Sequence, residues 1–345
     1  RVRPEFRAVV HAHPVYCIAY SLARKMPRTD LLPTTRQWGR KQRLSKYAMM
    51  GSVELGENIS AEFARGADVV FLENHGVCVG GGDLMEAFHR FESAEYSAKL
   101  ELLAGKLGAA NYLTPEQLSL YDARRQPDWR LLAGREPSER EMQLRGQMVR
   151  MMRRAYEHGL FTGTQGVCSA RVDSSSFLIS PEGLDSVEIR EEDLVLVCGD
   201  AVETGKSPSL LTPFFAEIYA KNPEVAAAFA SQPPHVMAYA ASKADFLTST
   251  VPESYYMLRS VQKRPFEEPI NNPGDAASRF SAKTPVVLFA NYCLVTTGDS
   301  LFTAFDRMEV SEATAGAILV AKDAGPVVYL SDDEIDELKT TFHLE

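Results

Sequence analysis

The chain has 345 residues, a length that suits two domains better than one. Hydrophobic residues make up 45% and charged residues 24%, a composition typical of globular proteins. The formal net charge of −9 argues against a nucleic-acid-binding surface, and no apolar run reaches the roughly 18 residues that predict a membrane span. The five cysteines are odd in number and scattered, which predicts free thiols in a reducing intracellular compartment, either the cytosol or an organelle matrix.

The first predicted element is a short apolar strand over 6–10, and His11-Ala12-His13 follows it directly. Residues i and i+2 of an extended chain project to the same face, so both imidazoles can reach one ion. An incidental pair of packed or surface histidines is the alternative. A second apolar strand over 69–72 leads into Glu73-Asn74-His75-Gly76, and its imidazole would complete a three-nitrogen metal site with an open coordination position. Such a donor set favours Zn²⁺, with other first-row divalent ions as alternatives.

The remaining pattern alternates helices with strands. Amphipathic spacing predicts helices over 52–63, 84–107 and 141–158, a capped helix start at 114–117, and strands over 168–172, 176–179 and 193–197. The segment 124–137 is rich in Arg, Glu and Pro and is predicted to be an inter-domain linker. Together these elements predict an α/β (α+β) fold in which a central, mostly antiparallel sheet is flanked by helices.

Two parts of the sequence resemble each other. Residues 69–75 match 286–292 at an offset of 217 positions (286 − 69 = 217), and the same offset relates 87–92 to 304–309. We therefore predict a tandem duplication with a first repeat over 1–123, a linker over 124–137 and a second repeat over 138–345. The offset puts the matching start of the first repeat about 80 residues before Arg1 (138 − 217 = −79), so we expect its N-terminal part to be missing here.

The histidine motifs resemble those of the class II aldolase/adducin superfamily. The family pattern Val-Val-His-x-His matches residues 9–13, and its later Asn-His-Gly motif matches residues 74–76. The resemblance implies a zinc ion on His11, His13 and His75 that polarises a substrate carbonyl and hydroxyl and stabilises an enediolate. It also implies a catalytic Glu and phosphate-binding loops upstream of Arg1, so the catalytic residue stays unassigned. Glu73 is expected to point away from the ion and to serve a structural role.

The second repeat has lost this motif. The positions matched to the three ligands hold Ala230, Gln232 and Tyr292, and Leu211 stands where the family has its Glu. Alanine cannot bind a metal ion, and glutamine and tyrosine are poor substitutes for imidazole. We therefore expect a metal ion in the first repeat only.

Two functions remain open at this point. The first is a zinc-dependent lyase that acts on a small, sugar-phosphate-like hydroxy-ketone, and the spacing of the three histidines favours it. The second is a catalytically inactive pseudoenzyme that serves as a structural or interaction subunit of a homo-oligomer or larger assembly, for which adducin is a precedent. The loss of ligands in the second repeat favours this alternative. Neither function involves nucleic acid or a membrane span.

Overall fold

The computed structural model describes residues 2–39, 41–132 and 134–344. The chain divides into two compact units, Arg1–Thr114 and Pro115–Glu345. Each unit combines a sheet with flanking helices, so the predicted α+β fold is confirmed. Within the described ranges, no helix is long and apolar enough to cross a membrane.

The first unit is built on a four-stranded sheet with the order β1-β4-β3-β2. Its strands are β1 (Ala8–Ala12), β2 (Gln42–Ser45), β3 (Val69–Leu72) and β4 (Val77–Gly81), and its helices are α1 (Val15–Leu22), α2 (Pro33–Gly39), α3 (Val53–Ala64) and α4 (Leu84–Lys106). β4 pairs antiparallel with β1 and with β3, and β2 pairs parallel with β3. β1 begins two residues later than predicted, so His11 lies within the strand and not after it.

β3 is apolar at all four positions, and all four residues are buried. This pattern is typical of a strand in a sheet whose two faces are both covered. On one face, Val69 and Phe71 form a core with Cys17 of α1 and Ala94 of α4. On the other face, Val70 and Leu72 form a core with Phe63 of α3, Ala67 and Cys78. The α3 and α4 helices start at side-chain caps, which fixes where the chain turns back onto the sheet.

The second unit is built on a nine-stranded sheet with the order β11-β12-β13-β10-β6-β7-β8-β9-β5. Its strands are β5 (Arg130–Leu132), β6 (Val167–Arg171), β7 (Ser176–Ile179), β8 (Val195–Cys198), β9 (Ala201–Glu203), β10 (Ala227–Ser231), β11 (Gln262–Arg264), β12 (Val286–Phe289) and β13 (Cys293–Gly298). Its helices are α5 (Pro115–Asp122), α6 (Glu139–Glu157), α7 (Thr212–Lys221), α8 (Pro234–Ala240), α9 (Pro252–Leu258), α10 (Glu268–Asn271), α11 (Pro273–Ala277), α12 (Leu301–Ala324) and α13 (Asp332–Phe342).

The segment predicted as a linker contains β5, which pairs in parallel with β9 at the edge of this sheet. Composition alone does not predict this strand, because its hydrogen bonds are made to residues about seventy positions away, as in the bond from Arg130 N to Asp200 O. The preceding helix α5 also belongs to the second unit, since the division falls between Thr114 and Pro115.

Equivalent strands of the two units share one register. In the first unit His11 on β1 faces Cys78 on β4, and in the second unit Ala230 on β10 faces Val295 on β13. The paired positions are separated by 219 (230 − 11) and 217 (295 − 78) residues. The second value is the offset found in the sequence, and the first differs from it by two residues. The strands differ on their other side, because β10 also pairs with β6 and is buried throughout.

Candidate metal centre

The structure brings His11, His13 and His75 together. His11 lies near the end of β1, His13 follows that strand, and His75 lies in the turn between β3 and β4. One ring nitrogen from each residue can be chosen so that all three lie within 4.8 Å of one another. The ring centroids are 4.7 Å apart for His11 and His13, 5.1 Å for His11 and His75, and 5.0 Å for His13 and His75. His75 is half-buried, whereas the other two rings are exposed.

The turn that carries His75 depends on its neighbours. Asn74 has a φ of 54°, in the left-handed region that asparagine tolerates better than most residues. The amide of His75 donates to the carbonyl of Leu72 over 3.1 Å, which closes the turn. At Gly76, a Cβ would lie 2.5 Å from the carbonyl oxygen of Ala12, so only glycine allows the turn to approach the end of β1. Asn74 and Gly76 thus suit the backbone of the turn, which leaves His75 between them as the residue that the turn presents.

The ring of His11 is oriented by the backbone. Its Nδ1 lies 3.0 Å from the carbonyl oxygen of Val77, a distance at which Nδ1–H donates to that oxygen and Nε2 keeps its lone pair. Histidines that bind metal ions are commonly held in this way by a carbonyl or a carboxylate. Burial lowers the pKa of His75, and the adjacent His11 and His13 lower it further, so the neutral form that binds a metal ion is favoured.

The donor set therefore fits a divalent metal ion. Nitrogens bound to one tetrahedral zinc ion at about 2.0–2.1 Å lie about 3.3 Å from each other, so modest ring rotations would bring these three into range. Three imidazoles leave a fourth coordination position for a substrate or water.

Glu73 is directed toward two other segments. Its Oε2 accepts a hydrogen bond of 3.2 Å from the amide of Tyr47 and lies 3.8 Å from Nε of Arg24. The carboxylate thus fixes the segment around Tyr47, in keeping with the structural role expected for it. The sequence did not single out Arg24 or the amide of Tyr47, because nothing in their spacing links them to Glu73.

The corresponding region of the second unit contains no imidazole at the three ligand positions. Tyr292 lies in the turn between β12 and β13, and Nε2 of Gln232 donates to its carbonyl oxygen over 2.7 Å. Ala230 lies on β10, and Leu211 lies directly before α7 and is buried. Burial raises the pKa of Tyr292 well above its ordinary value, so its phenol stays neutral.

One residue of this region, Arg124, is not indicated by the sequence. Nη1 of Arg124 donates to Oη of Tyr292 over 2.8 Å, although Arg124 lies in the segment predicted as a linker. The guanidinium carbon also lies 3.5 Å from the centroid of the Tyr121 ring. These contacts join residues as many as 168 positions apart, and no local pattern in the sequence indicates them.

Comparisons with known proteins agree with this fold. The family model of the class II aldolase and adducin N-terminal domain matches residues 1–102 and 146–319. A 3-oxo-tetronate 4-phosphate decarboxylase of Pectobacterium atrosepticum is 30% identical over 206 residues, which are 57% of this chain and 93% of that relative. An L-fuculose phosphate aldolase of Methanococcus maripaludis is 35% identical over 107 residues, which are 31% of this chain and 56% of that relative.

Among solved structures, Escherichia coli YgbL, a candidate aldolase/epimerase/decarboxylase, is 25% identical with a TM-score of 0.53. That match covers 58% of this chain and 99% of YgbL. Because the family model matches most of the sequence, in both units, the chain belongs to the class II aldolase and adducin family.

Proposed function

We propose that this protein is a metal-dependent lyase that cleaves a carbon–carbon bond in a small phosphorylated hydroxy-ketone or oxo-acid. The observation that carries the proposal is the convergence of three imidazole nitrogens within 4.8 Å on His11, His13 and His75. Relatives described as a phosphate decarboxylase and a phosphate aldolase support both the lyase class and a phosphorylated substrate.

Zn²⁺, or another first-row divalent ion, would supply positive charge that polarises the substrate oxygens when bound. Other residues of the chain fix the positions of the histidines that would hold the ion. The carbonyl of Val77 orients His11, and Asn74 and Gly76 shape the turn that presents His75. Glu73 holds the neighbouring segment through the amide of Tyr47. We assign no proton-transfer group among these residues.

The chain is also, in this proposal, a tandem duplication in which only the first repeat binds metal. The repeats span 1–123 and 138–345, with a linker over 124–137. Equal strand registers at offsets of 217 and 219 support the duplication, and a matching pair of side chains supports it further. Arg90 donates to the carbonyl oxygen of Gly80, as Arg307 does to that of Thr297.

One observation favours a second candidate function. Replacement of all three ligand positions by Ala230, Gln232 and Tyr292 would suit a unit kept for its surface, as in a pseudoenzyme subunit of a homo-oligomer or larger assembly. Measurements of metal binding and of turnover separate the two functions, because only the lyase requires both.

The test is a metal analysis of the purified protein after exposure to zinc and removal of loosely bound ions. We expect about one zinc ion per chain, and loss of that ion in His13→Ala and His75→Ala. His158→Ala is the matched control, since His158 belongs to the second unit, where it pairs with Glu309, and its variant should keep the ion. A wild-type protein without zinc would contradict the metal site.

The same preparations are then assayed for cleavage of phosphorylated hydroxy-ketones and decarboxylation of phosphorylated 3-oxo-acids. Turnover by the wild type that disappears with the zinc in His13→Ala is the expected result. Stoichiometric zinc without turnover on either substrate class would overturn the lyase function in favour of the structural subunit.

A further inference from the structure

The second unit contains a cleft of about 240 Å³ next to Tyr292. Tyr292 and Leu211, which stand at positions matched to a metal ligand and to the family Glu, both line it. Arg124 and Arg125 provide its charged side chains. The remaining lining residues are apolar side chains from α5, from the start of α7 and from the region of α10 and α11: Leu120, Ala123, Leu210, Pro213, Phe214, Pro269, Ile270 and Pro273.

The cation of Arg124 is held in place by contacts on several sides. Its Nε donates to the carbonyl oxygen of Tyr121 over 3.1 Å, and its Nη1 donates to Oη of Tyr292 over 2.8 Å. The ring of Tyr121 stacks on the guanidinium, and the rings of Tyr121 and Tyr292 meet edge to face with centroids 5.8 Å apart. This preorganised guanidinium borders the cleft and needs little further ordering to bind an anion.

The charged side chains that line the cleft are both cations, Arg124 and Arg125. Glu182 interacts electrostatically with Arg124. The Glu182 carboxylate is itself engaged, because Oε2 accepts a hydrogen bond of 2.8 Å from the amide of Leu210. Because the two side chains of the lining that carry charge are guanidinium groups, the cleft suits an anionic ligand.

We propose that this cleft binds a small organic carboxylate with a hydrocarbon tail, whose charged end pairs with Arg124 and whose tail packs on the apolar walls. The cleft is smaller than the roughly 300–1,000 Å³ of typical ligand pockets, so the ligand must be small. A sugar phosphate fits less well, since its hydroxyl groups would lie against Leu211, Phe214 and Ile270 without hydrogen-bond partners. A fixed guanidinium here supplies the positive charge that an ion would supply in the first unit. The inference goes beyond the proposed lyase activity and does not depend on it.

The test uses the full-length chain in a phosphate-free buffer, with benzoate as the probe and benzamide as its neutral isostere. Titrations followed by calorimetry or ligand-observed NMR should show benzoate bound at least about tenfold more tightly than benzamide. Arg124→Gln should weaken benzoate binding by about tenfold or more. Arg130→Gln is the matched control, because the exposed Arg130 pairs with Asp200 outside the cleft, and its variant should bind as the wild type does.

A second variant covers the case in which Arg124→Gln fails to fold. Ala123→Trp fills the cleft from an exposed position and leaves Arg124 in place, so it should abolish benzoate binding. Ser119→Trp, in the preceding helix α5, lies outside the cleft and should not affect it. No binding of benzoate by the wild type, equal binding of benzamide, or unchanged binding in Ala123→Trp would each overturn the proposal. Inorganic phosphate that binds as tightly as benzoate would overturn the role assigned to the apolar walls.

Discussion

Gly76 and His13 are so close that a Cβ on Gly76 would lie 2.9 Å from Cδ2 of His13. Gly76→Ala must therefore displace His13 or the end of β1, and we expect zinc affinity to fall at least about tenfold. Overpacking of this kind should also cost about 1–3 kcal/mol of unfolding free energy. Competition with a chromophoric chelator measures the affinity. Gly105→Ala in α4 is the control, because nothing lies within 4 Å of its added Cβ, and unchanged zinc affinity in Gly76→Ala would contradict the geometry.

The backbone conformation of Asn74 offers a second test of the turn that carries His75. A β-branched residue at a φ of 54° is strained, so Asn74→Val should cost about 1–2 kcal/mol and weaken zinc binding as His75 moves. Asn74→Gly adopts this conformation freely and should bind zinc as the wild type does. Equal zinc affinity in both variants would show that the position of His75 does not depend on this turn.

We expect the stability of the second unit to depend on pH through Glu268. Its carboxylate accepts hydrogen bonds of 2.7 Å from Nε of Arg264 and 2.9 Å from Nε of Arg279. Burial acts to raise its pKa, but the bonds from the two guanidinium groups outweigh burial, and the net pKa of Glu268 is lowered. A lowered pKa in the folded state contributes stability above the unfolded-state pKa, and that stability is lost as pH falls through the folded-state pKa.

Glu268→Gln should therefore lower the unfolding free energy by about 1–3 kcal/mol at neutral pH. The difference from the wild type should shrink as the pH falls below the ordinary glutamate value of 4.5. Urea unfolding at several pH values measures it. Glu217→Gln, whose exposed carboxylate pairs with Lys221, should change little at any pH. If the difference in unfolding free energy between the wild type and Glu268→Gln stayed constant as the pH was lowered, the Glu268 carboxylate would be excluded as the source of the pH dependence.

The shared strand register predicts that a metal site can be built into the second unit. The substitutions Ala230→His, Gln232→His and Tyr292→His would restore the three imidazoles on equivalent backbone positions. Arg124 would still place a positive charge beside them, so we expect a second zinc ion per chain only when Arg124→Ala is added. Zinc stoichiometry provides the measurement. One ion per chain in the quadruple variant would mean that the two units do not present equivalent sites.

The sequence predicts those features that depend on local pattern. The apolar run of β3 and the Asn-His-Gly turn after it are visible as strings of residues, and so is the His-x-His pair on β1. Contacts decided by tertiary packing are not visible in this way. The pairing of β5 with β9 and the bond from Arg124 to Tyr292 both join distant segments. β5 and Arg124 each lie in the stretch whose composition predicts a linker.

The compact units do not follow the boundaries of the proposed sequence repeats, because α5 and β5 belong to the second unit. By the 217-residue offset, α5 corresponds to α13, which would make it the last helix of the first repeat, yet it lies in the compact unit of the second. A chain that began at residue 138 would lose β5, one of the two strands that pair with β9, and would leave the buried phenol of Tyr292 without Arg124. A cut that keeps the second unit intact therefore falls between Thr114 and Pro115 and not at the end of the proposed sequence repeat.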